Sequence, residues 1–472
     1  MQKFIQPRGL LIILMVLVVN TGARNPEHRE PGTIQPAARP NILWIITEDM
    51  SAELGCYGYP LVKTPNVDAL AKGGVRYTNT FATGPVCSAS RSALITAMYQ
   101  TSIDAQNHRS HRDDGYTLPE PVKPITDYFR QAGYYTVSGE LGPDGIKGPG
   151  KTDYNFELKN KPFDATDWST RKEGQPFFAQ MMISCTHRGP IWRGAVQKHE
   201  PQIDPDKVKL PAFYPDHPVA REDWATYLES IQLMDSYIGN LLKRVKEEGL
   251  TENTVIMFTS DHGRCHVRDK QFLYDGGIKI PFIMHWPKHL KGGTVNTDLV
   301  SAIDISATAL HMAGIKLPAY MEGRNIVGSE LQKRNHIIAA RDRMDETVDK
   351  MRCVRTKEFK YIKNYLPALP YMQANNYKEK QYPVWNLLKE LKTQGKLTPV
   401  QALFCAPNKP AEELYDIQRD PEELNNLAQL PKYVKTMVNM RGLLKNWITR
   451  TGDKGQYAEK KIWLPKKIGE GF

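Results

Sequence analysis

The chain has 472 residues, 63 of them basic and 52 acidic, for a formal charge of +11, and 40% are hydrophobic. This composition excludes a disordered, collagen-like or disulfide-stapled protein, and six cysteines without a CxxC pair argue against a zinc ribbon. The basic excess fits an anionic partner, but no Lys/Arg-rich tract of the nucleic-acid-binding kind is present, so no nucleic acid is expected.

Lys3 and Arg8 precede an unbroken apolar run over 9–19, and the small residues Thr21, Gly22 and Ala23 follow. This pattern predicts a signal peptide over 1–23 and a secreted or periplasmic protein. The run is short for a bilayer span, so no stable membrane insertion is expected. Residues 24–39 are polar and Pro-rich and read as a linker. Continuous apolar runs at 41–47, 176–184, 254–260 and 281–287 predict strands buried on both faces. Helical patterns at 68–72, 88–98, 124–132 and 222–248 lie between them. Strands alternating with helices predict an α/β domain over 40–330, a large mostly parallel sheet sandwiched by helices. Beyond it the pattern changes. Short strand-like pieces at 336–341, 351–355 and 359–365, without long helices between them, predict a smaller antiparallel sheet. An amphipathic helix near 433–447 completes a C-terminal α+β subdomain over 331–472.

In a parallel sheet, ligands sit beyond the strand C-termini. Polar residues cluster there: Glu48 and Asp49, His187, and Asp261 and His262. Carboxylates with one neutral donor suit Ca²⁺, and Mg²⁺ less well. Cys87 falls just before a helical pattern, where free N–H groups and the helix dipole favour an anion. Arg91, one turn later, can point back to the same place.

The Cys87-x-Ala-x-Arg91 segment resembles the signature of the type I sulfatases, whose commoner form is Cys-x-Pro-x-Arg. Four further segments match that family in order. They are the strand and acid pair ending at Asp49, TPNVDALA at 64–71, TSDHG at 259–263 with LYDGGIKIP at 273–281, and LYDIQRDPEELNNLA at 414–428. The resemblance implies an alkaline phosphatase-like fold and Cys87 converted to 3-oxoalanine (formylglycine) by a formylglycine-generating maturation enzyme. It also implies a divalent metal held by Glu48, Asp49, Cys87, Asp261 and His262. Glu48 departs from the family's usual Asp. By the same resemblance Arg91, Lys151, His187 and Lys270 are catalytic. Asp153 stands where the family has a His, and His108, His111 and Asp153 are expected to line the substrate pocket. The pattern is most similar to the heparan N-sulfatase-like carbohydrate sulfatases, which implies a sulfated glycan as substrate. The alternatives are a phosphonate or phosphate ester hydrolase of the same superfamily and a non-catalytic calcium-dependent glycan-binding relative.

Overall fold

The computed structural model describes residues 39–454 apart from 112 and 113, so the expected signal peptide and nearly all of the linker lie outside the described residues. The first half of the fold runs β1 (Asn41–Thr47), α1 (Pro65–Gly73), β2 (Val75–Phe81), α2 (Cys87–Thr96), α3 (Ile125–Gln131), β3 (Tyr135–Gly142), β4 (Gly145–Pro149) and β5 (Phe177–Ile183). It continues with α4 (Pro218–Glu247), β6 (Thr254–Ser260), α5 (Asp275–Ile278), β7 (Lys279–His285), β8 (Thr294–Ser301) and α6 (Ala302–Met312). The eight strands form one sheet in the order β4-β3-β5-β1-β6-β7-β2-β8. β1 pairs parallel with both β5 and β6, while β7 is antiparallel to β6 and to β2.

β1 shows why the centre was readable from sequence. All seven of its residues are buried, because helices cover both faces of the sheet. Leu43 and Ile45 join the core on the side of α4, and Ile42, Trp44 and Ile46 join the core containing α3 and α6. The outer strands β2, β3, β4 and β8 were not expected, because polar residues and glycines interrupt them.

The second sheet is antiparallel, in the order β12-β11-β10-β9, from β9 (Ile337–Arg341), β10 (Met351–Arg355), β11 (Phe359–Asn364) and β12 (Glu412–Asp416). α7 (Asn376–Gln381), α8 (Pro383–Thr393) and α9 (Pro399–Phe404) lie between β11 and β12, and α10 (Val434–Thr451) follows. α10 packs Met437, Met440, Leu444 and Trp447 against Ile338, Val354, Tyr361 and Leu414 of this sheet. The three expected strand pieces follow one another as β9, β10 and β11 with no helix between them, and the eleven-residue α8 that comes after them was not expected. Its Trp385 and Leu388 belong to the same core as α4, so this part of the chain reaches back over the large sheet. Both sheets belong to one compact unit.

Candidate active site

β1 and β6 run parallel with Thr47 beside Ser260, so the acids that follow each strand leave the sheet side by side. The Asp49 backbone turns into the left-handed region at φ 53°. Its N–H donates to Asp261 Oδ1 at 3.1 Å, and the His262 N–H donates to the same oxygen at 2.9 Å. The next turn is held by a close backbone approach. A Cβ on Gly263 would lie 2.1 Å from the Gly276 carbonyl oxygen, so only glycine fits.

Cys87 is the first residue of α2, and no side chain caps that end. Its Sγ lies 3.4 Å from His262 Nε2, 3.8 Å from Asp49 Oδ1 and 3.8 Å from Lys270 Nζ. Asp49, Cys87, Asp261 and His262 each bring one donor atom to within 4.8 Å of the others, and all four residues are buried. His262 Nδ1 is 2.9 Å from the Gly263 carbonyl. A carbonyl only accepts, so Nδ1 donates to it, and Nε2 faces Asp49 Oδ1 at 3.0 Å, where a cation could take the place of its proton. Two carboxylates and such an imidazole fit a divalent cation.

The electrostatics agree. Burial raises the Asp49 carboxyl, but Lys270, His187 and His262 outweigh it and hold the group well below its ordinary range. Burial likewise opposes ionisation of Cys87, and Lys151 and Lys270 override it and lower the thiol. For His262 burial acts downward, yet Asp261 and Asp49 push it up to about 10. The pocket formed by those two acids therefore favours positive charge.

The remaining expected residues gather around this centre. Lys270 Nζ donates to Asp49 Oδ2 at 2.6 Å and approaches His187 Nε2 at 3.3 Å. Arg91 bridges Asp261 and Glu48, at 3.0 Å each. Glu48 is also 3.2 Å from Lys151, so it faces the cations and stands outside the four clustered donors. Asp153 lies 4.0 Å from Lys151 and 3.9 Å from Arg109. Arg188 fixes the segment after His187: its guanidinium pairs with Asp223 and donates to the Cys265 carbonyl at 3.0 Å. Burial raises Asp223, but Arg188 holds it at about 2. His108 is buried and bonds Asp345 at 2.8 Å. His111 instead ties its own loop, with Nδ1 2.8 Å from Asp114, Nε2 3.0 Å from the Asp104 carbonyl and its ring stacked on Tyr116. Asp345 and Tyr377 were missed by sequence. Both come from the C-terminal part of the chain, and Tyr377 stands 6.2 Å, ring to ring, from His187.

A sequence model described as Sulfatase matches residues 40–315, and one described as N-sulphoglucosamine sulphohydrolase, C-terminal, matches 263–390. An ulvan-active sulfatase of Formosa agariphila is 32% identical, over 98% of this chain and 84% of the relative. Human N-sulphoglucosamine sulphohydrolase is 25% identical, over 88% of this chain and 91% of the relative. The fold is shared with a solved structure in complex with its substrate D-glucosamine-2-N,6-O-disulfate, at TM-score 0.63 and 17% identity over 88% of this chain and 99% of that one. It is shared equally with a phosphonate monoester hydrolase of Silicibacter pomeroyi, at TM-score 0.61 and 17% identity over 88% of this chain and 96% of that one. Sequence separates what the fold alone does not: the chain belongs to the sulfatase family, in its heparan N-sulfatase-like carbohydrate group, and is a sulfuric ester hydrolase.

Proposed function

We propose that this enzyme releases sulfate from a sulfated glycan, with Cys87 converted to formylglycine as the nucleophile and Ca²⁺ or Mg²⁺ bound by Asp49, residue 87, Asp261 and His262. One observation carries the reading. Cys87 opens a helix with its Sγ within 3.8 Å of Asp49, His262 and Lys270, where nucleophile, cation donors and a lysine converge. The ulvan-active and N-sulphoglucosamine relatives support a glycan substrate.

A bound cation would lower the cost of an anionic oxygen on residue 87. The chain's own groups do the rest. Arg91, Lys151 and Lys270 balance charge on the sulfuryl oxygens, and Glu48 holds Arg91 and Lys151 in place. His187, beside Lys270, gives a proton to the departing sugar oxygen. In this reading Asp153, 4.0 Å from Lys151, and His108 line the substrate pocket, and His111 braces the loop that carries His108. The segment 1–23 directs export to a secreted or periplasmic location, and a formylglycine-generating enzyme matures Cys87.

The test is mass spectrometry of the peptide containing residue 87, run beside sulfate release from defined sulfated oligosaccharides. Specific activity is expected to scale with the converted fraction, and Cys87→Ala to be inactive. A fully active preparation holding only the thiol at position 87 overturns the proposal.

A further inference from the structure

We infer that Asp345 is a positioning residue that fixes His108 as a hydrogen-bonding partner of a sugar hydroxyl, making the pair a determinant of glycan specificity; the inference rests on the glycan sulfatase reading above. His108 Nδ1 lies 2.8 Å from Asp345 Oδ1. A carboxylate only accepts, so Nδ1 donates to it and Nε2 is left for a further hydrogen bond. The Asp345 N–H approaches the same Nδ1 at 3.4 Å, and the shorter contact to the carboxylate decides where the proton sits. The other Asp345 oxygen accepts from Gln271 Nε2 at 2.7 Å and Asn375 Nδ2 at 3.4 Å, so it is held from two further segments. Burial raises the Asp345 carboxyl, but His108 outweighs it and keeps it well below its ordinary range.

The pair is fastened to the nucleophile's own turn on both sides. The Arg109 N–H donates to Ser88 Oγ at 2.9 Å, next to Cys87. The Gln271 N–H donates to the Pro85 carbonyl at 2.8 Å, two residues before Cys87. Three residues of this wall take left-handed backbones: Arg109 at φ 54°, Gln271 at 75° and Asp345 at 49°. With Asp49, His111 and Asp153, six of the ten such non-glycine residues among the described ones belong to segments around Cys87. Backbone strain gathers where function requires a fixed geometry. His111, with both ring nitrogens engaged by Asp114 and the Asp104 carbonyl, has no equivalent nitrogen to offer.

Charge selects the ligand class. Arg91, Lys151 and Lys270 stand on the sulfate side of Cys87. The His108–Asp345 pair sets a carboxylate behind its imidazole, which suits an uncharged hydroxyl better than an anion. The pair therefore reads the sugar, and the cations read the sulfate.

The experiment measures kcat and KM for wild type, Asp345→Asn, His108→Gln and the double variant. The probes are a defined sulfated oligosaccharide that the wild type turns over and 4-nitrophenyl sulfate, which has no sugar. Asparagine tolerates the left-handed backbone at 345, and Asp345→Gly, which carries no penalty there, serves as a second variant should asparagine disturb folding. For the oligosaccharide, kcat/KM is expected to fall about 10- to 100-fold, chiefly through KM, the size of one lost buried hydrogen bond. The ratio of oligosaccharide to aryl activity falls with it. Because Asp345 acts through His108, the double variant is no worse than His108→Gln alone. Equal loss on both probes, unchanged oligosaccharide activity, or single losses that multiply in the double variant overturns the inference alone. A wild type that hydrolyses only the aryl ester overturns the glycan reading and the inference with it.

Discussion

Two buried charge clusters serve this fold in opposite ways. Beneath the small sheet, Lys360 forms ion pairs with Asp275 at 2.5 Å and Glu423 at 2.7 Å and donates to the Leu273 carbonyl at 3.0 Å, while Arg355 meets Asp275 at 3.3 Å. The second Glu423 oxygen accepts the Asp275 N–H at 2.6 Å. Two acids and two bases close on one another. At the strand ends of the large sheet, Asp49 and Asp261 turn oxygens toward the same small volume as Cys87 and His262, within 4.8 Å of one another. Such acceptors repel unless a positive charge stands among them. A cluster that closes on itself fixes the position of a loop. The second cluster has cations too, Lys270 on Asp49 and Arg91 on Asp261, but its four donor atoms still converge on one small volume that would suit a divalent ion.

The largest effect expected from this contrast is on the open cluster. Chelation of divalent cations should abolish sulfate release, by at least about a thousandfold, since charge stabilisation by a metal contributes several kcal/mol to a transition state. It should also lower Tm, because an ion that binds only the folded protein stabilises it by mass action. Added Ca²⁺ should restore both. Asp261→Ala should lose activity and its Tm response to Ca²⁺ together. Chelated, dialysed protein that keeps full activity would show that this cluster, too, closes on itself.

The closed cluster should behave in the reverse way. Lys360→Met leaves Glu423 and part of Asp275 without a cation in a fully buried place. Breaking a buried pair in this way costs about 3–5 kcal/mol. Urea unfolding should show that loss at any Ca²⁺ concentration, with kcat of the folded fraction unchanged. A cost under about 1 kcal/mol, or a change in kcat, would remove the distinction between the clusters.

The same contrast explains what could be read from the sequence. The buried strands 41–47, 177–183 and 254–260 are unbroken apolar runs, and the acids that end two of them mark the site. Cys87 and Arg91 are four residues apart on one helix, so local spacing brings them together. The resemblance implied Glu48 as a ligand beside Asp49; successive residues leaving a strand point different ways, and Glu48 faces Arg91 and Lys151. Asp345 could not have been found. It meets His108 from 237 positions away, in a segment with no periodicity to announce it. The Lys360 cluster was equally hidden, since a lone lysine in a strand reads as a solvated face until Asp275 and Glu423 are folded onto it.

A third charge pair, on the rim, gives the smallest effect and sharpens the scale. Glu412, at the start of β12, accepts from Arg441 of α10 at 2.8 and 2.5 Å, with Tyr361 Oη at 2.5 Å. Arg441 is the main cause that holds the Glu412 carboxyl at about 2, against the upward push of burial. A carboxyl whose folded value is depressed stabilises the protein above its ordinary range, near pH 4.5, and loses that contribution as pH falls toward 2. Arg441 is half exposed, so solvent screens the pair and its contribution stays at or below about 1 kcal/mol. The stability difference between wild type and Glu412→Gln should therefore be small at pH 6, shrink between pH 4.5 and 3, and weaken in high salt. A difference that grows on acidification has the wrong sign for this pair. A difference of several kcal/mol would place Glu412 with the closed cluster, and would mean that burial of the partner is not what separates strong pairs from weak ones in this fold.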